Sequence, residues 1–145
     1  MKEQDYHSSI TASVTPQEAF EKISHVSEWW AKDFEGKSEE PHDVFTVRFP
    51  NGDMYKVKVS EIIPHKKITW EVIDSYQGWH DNHTEWVGTT IVWEVLSPKD
   101  SLEVKMTHIG LVPEFECFDK CSHGWDYLMQ KSLLELLNEG KGLPV

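Results

Sequence analysis

The sequence lacks the features of a membrane-spanning or secreted protein. It contains no apolar stretch of the roughly 18 residues that a transmembrane helix needs. Residues 1–9 are polar and hold no apolar segment of the kind found in signal peptides. Cysteine is scarce, with Cys117 and Cys121 as the only two, so no disulfide-rich scaffold is expected. We therefore expect a cytoplasmic protein whose two cysteines are reduced thiols.

The common catalytic motifs are also missing, and basic residues are few. The sequence holds no glycine-rich phosphate loop, no nucleophile elbow and no H-E-x-x-H metal motif. These absences argue against the commonest NTPase, hydrolase and metalloprotease families, and they leave less familiar chemistry open. With 14 basic and 25 acidic residues, the net charge is −11. Because an acidic surface repels phosphate groups and anionic lipids, we expect neither a nucleic acid nor a membrane as partner.

What the sequence does contain is a high apolar and aromatic content. Its 145 residues suit one domain, spanning 1–145, and are enough to bury a core. Hydrophobic residues make up 39% of the chain, and seven residues are tryptophans. Each tryptophan combines a large apolar surface with one N–H group that needs an acceptor. So many large rings indicate a heavy core, a ring-lined cavity, or both.

The first part of the chain predicts one strand and two short helices. Apolar and polar residues alternate over 10–14, as in a half-buried strand. Thr15 and Glu18 are spaced as in a capping box, and Pro16 suits the first helical position, so a helix begins here. A second short helix carries Trp29 and Trp30.

The middle of the chain predicts strands joined by hairpins. Alternation indicates five further strands, over 44–49, 55–59, 68–73, 85–96 and 102–108. The longest is 85–96, with Val87 and Thr89 on the same face as Ile91. Residues 50–53 hold an Asn-Gly pair that supplies positive φ angles for a tight turn, and 97–100 form another turn. Residues 36–43 and 75–83 are polar loops. If 45–49 is an edge strand, it could pair with a second copy of the chain.

The last part of the chain predicts one long amphipathic helix. From Phe118 onward, apolar and small residues recur at spacings of three and four as far as Leu136. Gly140 suits the position that ends a helix, and Gly142 and Pro144 prevent it from resuming. The predicted length is about 25 residues, enough to span the sheet at a rise of 1.5 Å per residue.

These elements predict an α+β helix-grip fold. About six antiparallel strands form a curved sheet wrapped around the long C-terminal helix, with two short helices after strand 1. A single helix cannot fill a concave sheet evenly. We therefore expect a cavity at the end where the short helices and the loops lie.

Three stretches carry a resemblance to a known superfamily. They are PHKKITW at 64–70, TEWVGT at 84–89 and, most specifically, THIGL at 107–111 followed by Cys117-Phe118 and Gly124-Trp125. They resemble bacterial proteins of the SRPBCC, or START-like, superfamily, in the branch named for homology to the activator of the heat-shock-90 ATPase. The resemblance covers almost the whole chain. It implies a deep pocket under the long helix in a superfamily that binds lipids, sterols, hormones or polyketides, with some members catalysing cyclisation or hydrolysis.

The candidate site is a set of inward-facing side chains, together with residues at the expected entrance. Each could instead be ordinary core packing. Fourteen residues are predicted to line the cavity: Trp30, Phe45, Tyr55, Trp70, Trp79, Glu85, Ile91, Trp93, Met106, His108, Cys121, Trp125, Leu128 and Met129.

The polar members of this set leave several roles open. His108 could orient a ligand or act as a base, or it could fasten the connection between the last strand and the helix. Cys117 and Cys121, four residues apart, could bind zinc, form a redox pair or simply pack, although a disulfide at this helical spacing is strained. We predict no catalytic residue, no metal and no cofactor.

Three functions compete at this point. The first is binding of a small apolar or amphipathic ligand in the cavity. The second is a co-chaperone-like interaction with a chaperone or a second copy of the chain, which the family name suggests. The third is a cyclase- or hydrolase-type reaction that uses His108 with Glu85 or a tyrosine. The chain is expected to be a binding protein rather than an enzyme.

Overall fold

Seven antiparallel strands form a single sheet in the computed structural model of the chain, which describes residues 5–97 and 101–145. Their order across the sheet is β1-β7-β6-β5-β4-β3-β2, so consecutive strands from β2 to β7 are paired, and β1 forms the other edge beside β7. The strands are β1 (Tyr6–Ala12), β2 (Asp33–Gly36), β3 (Val44–Arg48), β4 (Met54–Ile63), β5 (Lys67–Tyr76), β6 (Thr90–Leu96) and β7 (Leu102–Ile109).

The helical segments follow the first and the last strand along the chain. Helix α1 (Pro16–Ser24) and a short 3-10 turn (Val26–Glu28) follow β1. Three continuous segments make up the C-terminal helix of 22 residues, namely α2 (Phe118–Tyr127), a π-helical turn (Leu128–Leu133) and α3 (Leu134–Glu139). The predicted α+β helix-grip architecture is confirmed. Among the described residues, no helix is long and apolar enough to cross a membrane.

The predicted helix ends are confirmed. Thr15 is the N-cap of α1, where its hydroxyl accepts a hydrogen bond from the Glu18 backbone N–H, and the Glu18 carboxylate accepts one from the Thr15 backbone N–H. These two bonds satisfy donors that would otherwise be unpaired at a helix start. Gly140 follows α3 with φ of +79°, a left-handed conformation that glycine adopts without steric cost.

Alternate residues of each strand point into the cup between the sheet and the C-terminal helix. Phe45 pairs with Val57, and Val47 pairs with Tyr55, so their side chains share the inner face. On the C-terminal helix the predicted apolar face is buried, including Trp125. The core therefore sits between the inner face of the sheet and the helix.

Two expectations about the sheet are wrong. Residues 44–48 do not form its edge, because β2 pairs outside them, with Phe34 stacked at 5.6 Å from Phe45. Strand β2 has only four residues, two of them acidic, so it shows no periodicity. The Asn-Gly turn also differs, because only Gly52 has a positive φ.

The strand predicted at 85–96 begins only at Thr90, and β4 and β5, with ten residues each, are longer. Residues 77–89 form one long loop. Gly88 has φ of +90° within it, so the strand-like alternation of 85–89 does not reflect a pleat. Trp86 is consequently buried, whereas Val87 is 45% exposed. Most of the turn predicted at 97–100 lies outside the described residues.

Candidate functional site

A cavity of about 420 Å³ lies at one end of the cup. The β3–β4 hairpin, the 77–89 loop, α2 and the C-terminal residue all border it. This volume falls within the roughly 300–1,000 Å³ that small-molecule sites occupy. Seven of the fifteen lining residues are aromatic. The full lining is Trp30, Phe49, Pro50, Asn51, Asp53, Tyr55, Trp79, Trp86, Lys120, Cys121, Gly124, Trp125, Tyr127, Leu128 and Val145.

The inner wall of the cavity is a run of stacked rings. Tyr55, on the inner face of β4, stacks on Trp86 at 4.3 Å and on Trp30 at 6.1 Å. Trp86 in turn lies parallel to Trp125 of α2 at 6.1 Å. All four side chains are buried. Because the rings come from four separate parts of the chain, the wall exists only in the folded protein.

The mouth of the cavity is made by exposed residues. Trp79, in the long loop, is 37% exposed, and the Lys120 ammonium lies 4.7 Å from the centre of its ring. Val145 reaches the mouth because the chain after α3 folds back along residues 30–32. The Val145 N–H donates to the Trp30 carbonyl at 3.1 Å, and the Lys32 N–H donates to the Val145 carbonyl at 3.0 Å.

Asp53 is the acidic residue of this lining, and it is 92% buried, with 8% exposure. Its Oδ2 accepts a hydrogen bond from the Trp79 indole Nε1 at 2.9 Å. Its Oδ1 is buried and has no hydrogen-bond partner among the described residues. Buried polar atoms are normally paired, so an unpaired carboxylate oxygen at the edge of a cavity is exceptional.

A chain of polar side chains runs beside the cavity. The Gln77 Nε2 donates to the Tyr55 hydroxyl at 2.8 Å, and the Gln77 Oε1 lies 2.7 Å from His80 Nε2. His80 Nδ1 is 2.9 Å from the Glu116 carboxylate, and this hydrogen bond holds the pKa of Glu116 below its usual value. Burial is the main reason that the pKa of Tyr55 is raised, and the nearby Asp53 carboxylate adds to the effect. The Tyr55 phenol therefore stays neutral near neutral pH.

His108 is buried behind the ring wall, with both ring nitrogens engaged. The Trp125 indole N–H donates to Nδ1 at 3.1 Å, and Nε2 lies 2.8 Å from the Thr89 hydroxyl. Since that hydroxyl donates its own proton to the Trp86 carbonyl, Nε2 carries the imidazole hydrogen and donates it to Thr89. Burial lowers the pKa of His108 to about 3, so the ring is neutral. This arrangement is compatible with the second of the two roles considered for His108, in which it fastens the connection between the last strand and the helix.

The two cysteines form a disulfide, contrary to the expectation of reduced thiols. Cys117 is the N-cap residue and lies just before α2, so the objection based on helical spacing does not apply. The Cα–Cα distance is 5.5 Å, within the usual disulfide range. Among residues 5–97 and 101–145, no group of three or more histidine, cysteine or acidic side chains is placed to hold a metal ion.

The predicted site residues fall into two groups. Six of the fourteen line the cavity, namely Trp30, Tyr55, Trp79, Cys121, Trp125 and Leu128. The other eight lie elsewhere, because the rings themselves fill the rest of the cup: Phe45, Trp70, Glu85, Ile91, Trp93, Met106, His108 and Met129. Glu85 accepts hydrogen bonds from the backbone N–H groups of Glu116 and Cys117 at 2.7 and 3.1 Å, ahead of α2. The roles of all fourteen in binding stay predictions.

Several lining residues escaped the sequence analysis. The sequence predicts Trp86 in the strand at 85–96, with its side chain on the outer face of the sheet. That strand begins only at Thr90, so the prediction does not hold for Trp86. Asp53 belongs to the predicted hairpin turn, where an acidic residue is normally solvated. Gly124 and Lys120 lie on the C-terminal helix next to the predicted residues Trp125 and Cys121. A prediction that took a wider face of this helix would have included them. No pattern in the sequence predicts that Val145 lines the cavity.

Known proteins with similar structures are found, although no protein-family model and no curated protein matches the chain. The solution structure of the Aha1 dimer from Colwellia psychrerythraea is similar with a TM-score of 0.77 and 22% identity, over 96% of this chain and 99% of that chain. The chain therefore has a helix-grip fold like that of the Aha1 structure. The fold implied by the resemblance in sequence is thereby confirmed.

Two further helix-grip structures agree with this assignment. The protein MLL2253 from Mesorhizobium loti has a TM-score of 0.73 and 14% identity, over 97% of this chain and 100% of that chain. DynU16, from the dynemicin biosynthetic locus, has a TM-score of 0.67 and 13% identity, and this chain covers 48% of its length. At such identities the likeness concerns the fold.

Proposed function

We propose that this protein binds a small apolar or amphipathic molecule in the cavity between the sheet and the C-terminal helix. The observation that carries the proposal is the ring-lined space of about 420 Å³ that remains open at one end of an otherwise packed cup. Some proteins of the same fold belong to biosynthetic loci, as DynU16 does, which is compatible with the handling of small molecules.

The lining chemistry favours an apolar ligand body. Trp30, Tyr55, Trp86 and Trp125 present ring faces and edges, and transfer of apolar surface from water to such a wall gains about 25 cal/mol per Å². The few polar groups lie towards the mouth, where a ligand's polar end could remain in contact with water or be recognised. An apolar wall with a few placed polar groups is the usual make-up of small-molecule sites.

Gly124 offers a direct test, because it lines the cavity and a Cβ built on it meets no atom within 4 Å. We expect Gly124→Leu to fill the mouth without a clash and to weaken binding of the neutral dye Nile red about tenfold or more. Gly124→Ala is the matched control. It gives the same gain in helix propensity, about 1 kcal/mol, and should leave dye binding near that of the original protein.

Dye fluorescence and urea unfolding, measured on all three proteins, decide the outcome. The proposal requires Gly124→Leu to be as stable as Gly124→Ala and yet to bind less dye. Equal dye binding by the two variants, or no binding by the original protein, contradicts the proposal. Native mass spectrometry of freshly purified protein adds an independent search for a bound small molecule.

Self-association is a second candidate, supported by the similar Colwellia protein, whose structure is a dimer. The outer sides of β1 and β2 are the places where another strand could pair, since no described strand covers either edge. Light scattering coupled to size-exclusion chromatography tests this candidate. A monomer mass throughout the micromolar range would remove it, without affecting the cavity proposal.

A further inference from the structure

The Asp53 carboxylate is the feature of the cavity that indicates the chemistry of a ligand, because it is mostly buried and lines the cavity. Burial of a carboxylate is costly unless hydrogen bonds or an opposite charge compensate for the lost hydration. One oxygen of this group accepts a hydrogen bond from Trp79, and the other has no partner within hydrogen-bond distance among the described residues, although the Tyr55 hydroxyl lies nearby. A cationic ligand in the cavity can therefore supply the opposite charge that the described residues do not.

The charged groups around Asp53 determine which donor suits it. Lys120 also lines the cavity, but it is exposed and lies over the outer ring of Trp79. No basic side chain among the described residues is within ion-pair distance of Asp53, so its charge has no direct counterpart. The neighbouring Tyr55 hydroxyl can donate one proton to the carboxylate, but it is neutral and leaves the charge in place.

The ring wall strengthens the preference for a cation. Tryptophan and tyrosine faces attract ammonium groups, and the attraction is stronger where water is excluded. Four such rings line the inner cavity, and Trp79 holds Asp53 at its edge. The net charge of −11 also draws cations, rather than anions, towards the protein.

We propose that the cavity takes an amphipathic amine, whose protonated nitrogen pairs with the Asp53 carboxylate while its apolar body lies against the ring wall. This inference rests on the proposed function and adds the chemical class of the ligand. In this inference Asp53 selects the headgroup of the ligand. The apolar body of the ligand packs against the rings of Trp30, Tyr55, Trp86 and Trp125.

A set of probes with one alkyl chain and different headgroups tests the inference. Decylamine, decanol and decanoate are titrated against the protein at neutral pH, and binding is followed by tryptophan fluorescence. A hydrogen bond to a charged group distinguishes ligands by about tenfold or more, so decylamine should bind at least that much more tightly than decanol. Decanoate should bind most weakly.

Asp53→Asn is the decisive variant, because it keeps the shape and removes the charge. It should reduce decylamine affinity about tenfold and change decanol affinity little. Asp33→Asn, on the exposed strand β2 and away from the cavity, makes the same change in net charge and should leave all three affinities unaltered. Urea unfolding of both variants shows that they are folded at the temperature of the titration.

Three results would overturn the inference, and each has a separate meaning. Tighter binding of decanoate, abolished in Lys120→Gln, assigns the headgroup site to Lys120. Equal affinities for decylamine and decanol leave the ligand-binding function intact and remove the role of Asp53. Failure of all three probes to bind, together with failure of Nile red, contradicts the proposed function itself.

Discussion

Two tryptophans in the packed half of the cup and three in the open half are held in different ways. In the packed half, Trp70 and Trp93 are fully buried and contact one another at 5.4 Å, yet neither indole N–H has a partner among the described residues. In the open half, each of Trp79, Trp86 and Trp125 donates its N–H to a side-chain acceptor.

The difference shows what a cavity wall needs. A ring surrounded on all sides is fixed by close packing, and the contacts outweigh the cost of an unpaired N–H. A ring that faces a cavity lacks contacts on one side and needs another restraint. The hydrogen bonds to Cys117 and His108 supply this restraint for Trp86 and Trp125, and the bond to Asp53 supplies it for Trp79 at the mouth.

The largest contrast is expected from removal of a ring in each half. Trp93→Ala leaves a void among packed rings and should lower the free energy of unfolding by about 4 kcal/mol. Tyr127→Ala, at the exposed mouth, should cost less than about 1 kcal/mol, because its side chain is 43% exposed. Urea unfolding followed by circular dichroism measures both, and similar losses would mean that the two halves are equally packed.

A smaller loss of stability is expected at acidic pH, because His108, which accepts the Trp125 N–H, becomes protonated in the unfolded chain. The pKa of His108 is lowered to about 3 in the folded protein, against 6.5 for an ordinary histidine. Between these values the unfolded chain binds the proton and the folded protein does not. The free energy of unfolding therefore keeps its full value above pH 6.5 and decreases as the pH falls. The contribution of His108 to this decrease is about 3 kcal/mol at pH 4.5.

The variant His108→Gln isolates this contribution, because its amide can accept from Trp125 and donate to Thr89 but does not titrate in this range. Urea unfolding at pH 7 and pH 4.5 gives the loss for each protein. The original protein should lose about 3 kcal/mol more than the variant. Equal losses would show that His108 is charged, or accessible to protons, in the folded protein.

The smallest effect is expected at the disulfide, whose sulfur accepts the Trp86 N–H. Cys117 and Cys121 are only four residues apart, so their bond closes a short loop and removes little freedom from the unfolded chain. Reduction should lower the free energy of unfolding by about 2 kcal/mol. Urea unfolding with and without dithiothreitol tests this, and the double variant Cys117→Ala with Cys121→Ala should not respond to the reductant.

Most of the fold could be predicted because its elements carry local patterns. The capping box at Thr15, the stop at Gly140 and the long apolar face of the C-terminal helix were all correctly located. The two errors in placing strands arose where the local pattern is weak or misleading. Strand β2 is too short and too charged to alternate, and the apparent alternation after Glu85 lies in a loop.

The site was less predictable, because its members share a place rather than a pattern. Parity along the strands correctly indicated which residues point inwards, such as Trp70 and Trp93, but inward residues outnumber those that line the cavity. Asp53 and Val145 reach the cavity through a hairpin turn and a returning tail. No periodicity marks either segment.

By itself, the sequence determined the class of elements, their order and the face that each one buries, because these depend on residues within a turn or a pleat of one another. Only the tertiary structure decided where the cup stays open, that Asp53 keeps an unpaired oxygen there, and that Cys117 and Cys121 are bonded. These features depend on distances between segments far apart in the chain, and such distances are set by how the whole set of large rings fills the cup.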